Sequence, residues 1–150
     1  MFKIIVEEFI KNDIQSVFNV LSDHENYKNF SGVEFSILLE KGTEEKNGKG
    51  AIRKIGLGTI EFIERIVYFD RPYRMDYRIE KSKPFPIHHE KGEITLKEEG
   101  EGTLVKWVSE GRVTIPLLGP LFLDKIVEKR GGKLFCDALG SVEFFLSAND

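Results

Sequence analysis

The sequence predicts an α+β fold in which one antiparallel sheet wraps around a single long C-terminal helix. Three observations carry that prediction. Only the stretch from Leu117 to Leu146 is long enough for a substantial helix, and its second half places Leu134, Ala138, Leu139, Val142, Phe145 and Leu146 on one apolar stripe. Upstream of it lie several short strand-like segments and no comparable helix. Two short, capped helical segments fall between the first strand and the second. A helix this apolar needs a large partner surface, and the strands are the surface available.

Phe2 to Ile10 reads as the first strand. Asn12 followed by Gln15 has the spacing of a helix cap and its partner, opening a helix that buries Ile14, Val17, Phe18 and Leu21. Ser22 with Glu25 repeats that spacing and starts a second short helix ending near Phe30. Strands follow over Val33–Lys41, Ala51–Leu57 and Thr59–Phe69, with a hairpin signal at Asn47-Gly48. Met75, Tyr77 and Ile79 alternate with charged residues, the period of a half-buried strand. Pro84-Phe85-Pro86 interrupts pairing, and His88–Glu98 with Thr103–Ile115 forms the last hairpin. In the terminal helix a first stripe, Leu118, Phe122 and Ile126, points away from the second, with Gly131-Gly132 between them. The glycine pair allows a bend over an interior space, with room there for a ligand.

The 150 residues suffice for one domain, 1–150, with its own core. A hydrophobic content of 41% beside 31% charged residues fits a soluble globular chain. The net charge of −3 argues against a nucleic-acid surface, which usually carries a basic face. Cys136 is the only cysteine, so an intrachain disulfide is impossible and a reducing, cytoplasmic compartment fits. No signal-peptide segment and no apolar run approaching the ~20 residues of a membrane span is present.

The order strand, two short helices, six strands, long helix is that of the helix-grip fold. At residue level the chain resembles the polyketide cyclase/dehydrase-like branch of the START/Bet v 1 (SRPBCC) superfamily. Ile10 followed by Asp13-Ile14-Gln15-Ser16-Val17-Phe18 is similar to that family's strand-to-helix passage, with Asn12-Asp13 where the family has Ala-Pro. Asp23 with Tyr27 and Phe30 resembles its second helix, and Gly50-Ala51-Ile52-Arg53 its Gly-x-x-Arg strand start. Glu64-Arg65-Ile66 with Asp70 and Pro72, then Gly102-Thr103 with Trp107, complete the resemblance. It implies a seven-stranded antiparallel sheet gripping the helix, and a cavity between them. The mouth would lie at two gate loops, Gly56-Leu57-Gly58 and Pro84-Phe85-Pro86.

Strand alternation then suggests what lines the cavity. Phe62, Glu64 and Ile66 share one face, as do Met75, Tyr77 and Ile79. Extending inward-facing Ile94 back along its strand places Glu90 and His88 inward; Arg53, Trp107, Phe122 and Ile126 complete the candidate lining. Glu64 is the leading polar site, since a carboxylate in an apolar wall could bind a ligand hydroxyl or act as a base. Its structural alternative is an ion pair with Arg53 on the preceding strand. His88 is the second candidate acid or base. His88-His89 does not make a metal site, because adjacent strand residues point to opposite faces, and neither metal nor cofactor is expected.

These residues favour a module that binds an apolar or aromatic small molecule, lipid-, polyketide- or isoprenoid-like. A cyclase or dehydratase using Glu64 and His88 is the enzymatic alternative. A co-chaperone-like interaction domain, with the interior filled by side chains, is the third. A monomer or weak homodimer is expected in each case.

Overall fold

A computed structural model describes residues 1–148. Seven strands form one antiparallel sheet in the order β1-β7-β6-β5-β4-β3-β2. They span Phe2–Ile10 (β1), Phe35–Glu40 (β2), Ile52–Leu57 (β3), Ile60–Asp70 (β4), Arg74–Lys83 (β5), Ile87–Glu99 (β6) and Gly102–Val113 (β7). Helix α1, Ile14–Ser22, and a 3-10 helix, His24–Asn29, lie between β1 and β2. The last described element is α2, Asp124–Ala148, preceded by a π-helical turn over Gly119–Leu123. This is the α+β grip that the sequence predicts.

The caps differ from the predicted ones by one residue. Asp13, not Asn12, caps α1, accepting from the Ser16 amide at 3.0 Å and the Ser16 hydroxyl at 2.7 Å. Ser22 closes α1 rather than opening the next turn, and its hydroxyl accepts from Arg71 Nη2 at 3.2 Å. The predicted face of α1 is nevertheless the buried one: Ile14, Val17, Phe18 and Leu21 are all in the core.

Helix α2 packs chiefly on β1, with lesser contact to α1 and β7. Phe135, Ala138, Leu139 and Val142 are buried, and Phe135 stacks on Trp107 of β7 at 4.1 Å between ring centroids. The two successive glycines do different things. A Cβ on Gly131 would stand 2.4 Å from Ile4 Cδ1, whereas one on Gly132 would meet nothing within 4 Å. Gly131 therefore lets the helix approach β1, and the space beside it is filled by Ile4, which corrects the expectation of ligand room there. Gly119 is pressed against the sheet in the same way: a Cβ would fall 2.1 Å from the Val113 carbonyl oxygen.

The first apolar stripe of the predicted helix lies exposed. Leu118, Leu121, Phe122 and Ile126 are exposed, whereas Ala138, Leu139 and Val142 of the second stripe are core, Leu134 and Leu146 half-buried, and Phe145 at its end is exposed. Apolar periodicity shows that a face is apolar; burial depends on what the sheet offers opposite, and α2 lies along the β1 edge.

Candidate functional site

Strands β3 and β4 pair without irregularity, Arg53 opposite Glu64, Ile55 opposite Phe62 and Leu57 opposite Ile60. All six therefore share the concave face of the sheet. Along this row burial falls off. Arg53, Glu64 and Ile55 are buried, while Phe62, Leu57 and Ile60 are half-buried. The same gradient runs along β5 from Met75 and Tyr77, both buried, to half-buried Ile79. The uncovered end lies toward the β3–β4 turn, where Gly58 has φ +67.

At the buried end sits a charge cluster. Arg53 Nε donates to Glu64 Oε1 at 2.9 Å, and Arg53 Nη1 lies 3.0 Å from His24 Nδ1. The guanidinium also faces the Tyr27 and Tyr77 rings, 4.7 and 5.3 Å from their centroids. Burial alone would favour a neutral Arg53, but the Glu64 carboxylate and then Tyr27 reverse this and raise its pKa above the ordinary arginine value. Since an arginine can only donate, His24 Nδ1 is the acceptor, and its Nε2–H donates to the Asn47 carbonyl at 2.9 Å. Burial, reinforced by the Arg53 charge, pushes the His24 pKa down to about 3. Trp107 Nε1 donates to the Tyr77 hydroxyl at 2.9 Å, and burial drives that hydroxyl's pKa upward.

His89 is the second buried histidine. The Ile79 amide donates to its Nδ1 at 3.0 Å, so Nε2–H is left to donate to Ser109 Oγ at 2.9 Å. Paired residues between β5 and β6 run over Arg74–Asp76 and Glu93–Thr95; farther along, the His89 ring accepts the Ile79 amide in place of a strand carbonyl. Burial, with the nearby Arg78 and His88, lowers the His89 pKa to about 4.

Several predicted positions need correction. The β6–β7 register shifts between His89 and Lys91, so Glu90 is an extra residue and side-chain parity reverses there. His89 consequently faces inward, while His88 and Glu90 are exposed on the outer side, 3.9 Å apart. Glu64 inside and His88 outside cannot serve one substrate as an acid–base pair. Among the predicted lining residues Ile66 and Met75 are fully buried in the core, and Trp107 is covered by Phe135. Phe122 and Ile126 are exposed at the start of α2. Gly56 of the first gate loop belongs to β3 and is covered on the outer face by the Phe35 ring, leaving Leu57 and Gly58 at the turn. Pro84, Phe85 and Pro86 form the exposed β5–β6 loop. Among the described residues no three His, Cys, Asp or Glu side chains converge as metal ligands.

Read from the sequence alone, His24 is passed over and His89 is weighed only as a metal ligand. His24 gives no local signal, because its partners Arg53 and Asn47 are 29 and 23 residues away. The alternation that places His88 inward would have placed His89 there instead had the bulge been visible. An open groove of about 810 Å³ lies elsewhere, between Asn29 and Ser31 and the C-terminal half of α2. Its rim carries Lys133, Asp137 and Ser141, and it does not reach the charge cluster.

The fold recurs in solved structures. A START superfamily protein from Mycobacterium smegmatis superposes with TM-score 0.78 at 13% identity, each chain covered in full. A protein from Thermus thermophilus gives 0.79 at 21% identity over 99% of both chains. DynU16, from the dynemicin biosynthetic locus, gives 0.72 at 12% identity; this chain matches over its whole length and spans 49% of that protein. No curated protein matches. The sequence family described as polyketide cyclase/dehydrase and lipid transport matches residues 1–143. The chain belongs to that polyketide cyclase/dehydrase and lipid-transport family, within the START superfamily fold.

Proposed function

We propose that the protein holds an apolar or aromatic small molecule, lipid-, polyketide- or isoprenoid-like, between the concave face of the sheet and the start of α2. The observation that carries this reading is the burial gradient along β3, β4 and β5. Leu57, Ile60, Phe62 and Ile79 face the interior yet stay half-buried, because α2 lies over β1 and β7 and leaves them uncovered. Phe122 and Ile126 offer further exposed apolar surface. Burying such side chains against a ligand is favourable at roughly 25 cal/mol per Å² of apolar surface. The Arg53–Glu64–Tyr77 cluster supplies a polar floor that orients one end of the ligand, the arrangement typical of small-molecule pockets. The cytoplasmic setting and the single domain read from the sequence are part of the same proposal.

The test is titration with N-phenyl-1-naphthylamine, whose fluorescence rises in apolar surroundings. The expected result is saturable 1:1 binding that Phe62→Arg abolishes while thermal unfolding stays cooperative. Absence of saturable binding, or a Phe62→Arg protein that binds like wild type, contradicts the proposal.

A further inference from the structure

The end of the molecule beside the uncovered interior carries more exposed apolar surface than a pocket needs. Leu117 is 74% exposed and holds φ +67, a left-handed conformation that non-glycine residues rarely adopt. An apolar side chain kept in water by an uncommon backbone conformation marks a candidate functional position. Leu118 and Leu121 are exposed beside it, because Gly119 between them is the residue pressed onto Val113. Phe85 joins the same surface. Its loop is tied to the chain leading to Leu117 by the Thr114 amide and hydroxyl, both donating to the Pro86 carbonyl, at 3.0 and 3.3 Å.

Cations outnumber acids around this tip. Lys83, Arg112, Lys125 and Lys129 are exposed, and among the described residues none lies within ion-pair distance of a carboxylate. Of the neighbouring acids, Glu90 faces only His88, at 3.9 Å, and the others have partners of their own. Buried Asp124 is bound by the Met1 ammonium and the Val113 amide, each at 2.8 Å. Glu61 pairs with Lys54, Glu110 with Lys3, and Glu128 accepts from the Lys3 amide. A chain of net charge −3 thus presents a local excess of cations, none in an ion pair, around one apolar tip.

From this we infer that the tip docks on the surface of an anionic lipid bilayer, with Leu117, Leu118, Leu121 and Phe85 inserting at the interface and the four cations meeting lipid headgroups. Apolar side chains flanked by unpaired lysine and arginine are what an anionic membrane surface recognises, and no membrane-crossing helix is involved. A protein partner is less well matched, since these side chains project from a proline-bounded loop and a single turn rather than from a flat face. Docked this way, the uncovered interior faces the bilayer, and an apolar ligand passes between them without crossing water. That last consequence rests on the proposed pocket; the docking itself does not.

Flotation with vesicles of phosphatidylcholine alone, and of phosphatidylcholine mixed with phosphatidylglycerol, tests it. The protein should float with the mixed vesicles about tenfold more than with the neutral ones, and less as salt rises. Leu117→Asp/Leu121→Asp and, separately, Lys83→Glu/Lys125→Glu should each lose about tenfold of that binding. Both variants should melt as wild type does and still bind N-phenyl-1-naphthylamine without vesicles. Wild type left unbound by both vesicle types, variants that float unchanged, or a dimer closed through Leu117 and Leu121 that ignores vesicles would each overturn the inference. Vesicle binding without probe binding would uphold the docking and remove the pocket reading instead.

Discussion

Arg53 and Glu64 face each other across β3 and β4 with 2.9 Å between Nε and Oε1, and both are almost completely removed from water. The pair anchors the buried end of the concave face. Removing one partner leaves the other as an uncompensated buried charge. Glu64→Ala should therefore cost about 3–5 kcal/mol in urea unfolding, whereas Arg53→Met/Glu64→Leu should recover most of that loss. A Glu64→Ala protein as stable as wild type would show that water reaches the Arg53 guanidinium.

The two buried histidines give the protein a predicted acid sensitivity. An unfolded histidine titrates near 6.5, whereas His24 titrates at about 3 and His89 at about 4 in the folded protein. Below pH 6.5 the unfolded chain binds protons that the folded one refuses, so stability is complete above that pH and falls as the pH drops. The loss ends near pH 4 for His89 and near pH 3 for His24. Each histidine contributes a slope of about 1.4 kcal/mol per pH unit within its window. Urea midpoints between pH 7.5 and 4.5 should show this decline, and His89→Gln should make it shallower. An unchanged slope in His89→Gln would count against a neutral buried His89.

The glycine pair separates helix propensity from packing. Gly132→Ala adds a methyl group into open space and should stabilise α2 by up to about 1 kcal/mol. Gly131→Ala brings its methyl to 2.4 Å from Ile4 Cδ1, so Ile4 must turn aside and the gain should shrink or reverse. Combining Gly131→Ala with Ile4→Ala should lessen the difference between the two glycine positions. Equal effects of the two single substitutions would contradict the close approach of α2 to β1.

Leu139 is fully buried and Glu143 half-exposed on the same helix. Leu139→Ala should cost about 2–5 kcal/mol in chemical denaturation, and Glu143→Ala should be close to neutral. Glu143 lies close enough to Glu8 to raise that residue's pKa, after the larger effect of Glu8's burial, so removing it relieves a repulsion rather than breaking a contact.

These outcomes follow from features that were unevenly visible in the sequence. The order of elements, the buried face of α1 and the Ala138–Leu139–Val142 core of α2 are legible, because periodic apolar residues report them directly. Phe145 reads as part of that face yet is exposed, and buried Phe135 does not. Arg53 and Glu64 could be placed as a pair because β3 and β4 run in unbroken register. His88 and Glu90 could not be placed, because the extra residue at Glu90 reverses parity and no composition signal announces it. Leu118, Phe122 and Ile126 read as an apolar stripe, with Phe122 and Ile126 as cavity lining, yet all three are exposed, since a helix's apolar face does not say where the helix lies on the sheet. The His24–Arg53 contact depends on two segments meeting in space, which alternation and spacing do not encode.

The half-buried apolar row beside the β3–β4 turn is the proposed ligand surface. Methyl-resolved NMR of isoleucine-labelled protein titrated with N-phenyl-1-naphthylamine tests it most directly. The predicted result is a saturable shift of the Ile60, Ile79 and Ile126 methyls, with Ile5 and Ile37, exposed on the two edge strands, unmoved. Shifts at Ile5 or Ile37 with Ile60 and Ile79 unaffected, or no saturable shift at all, would contradict the account.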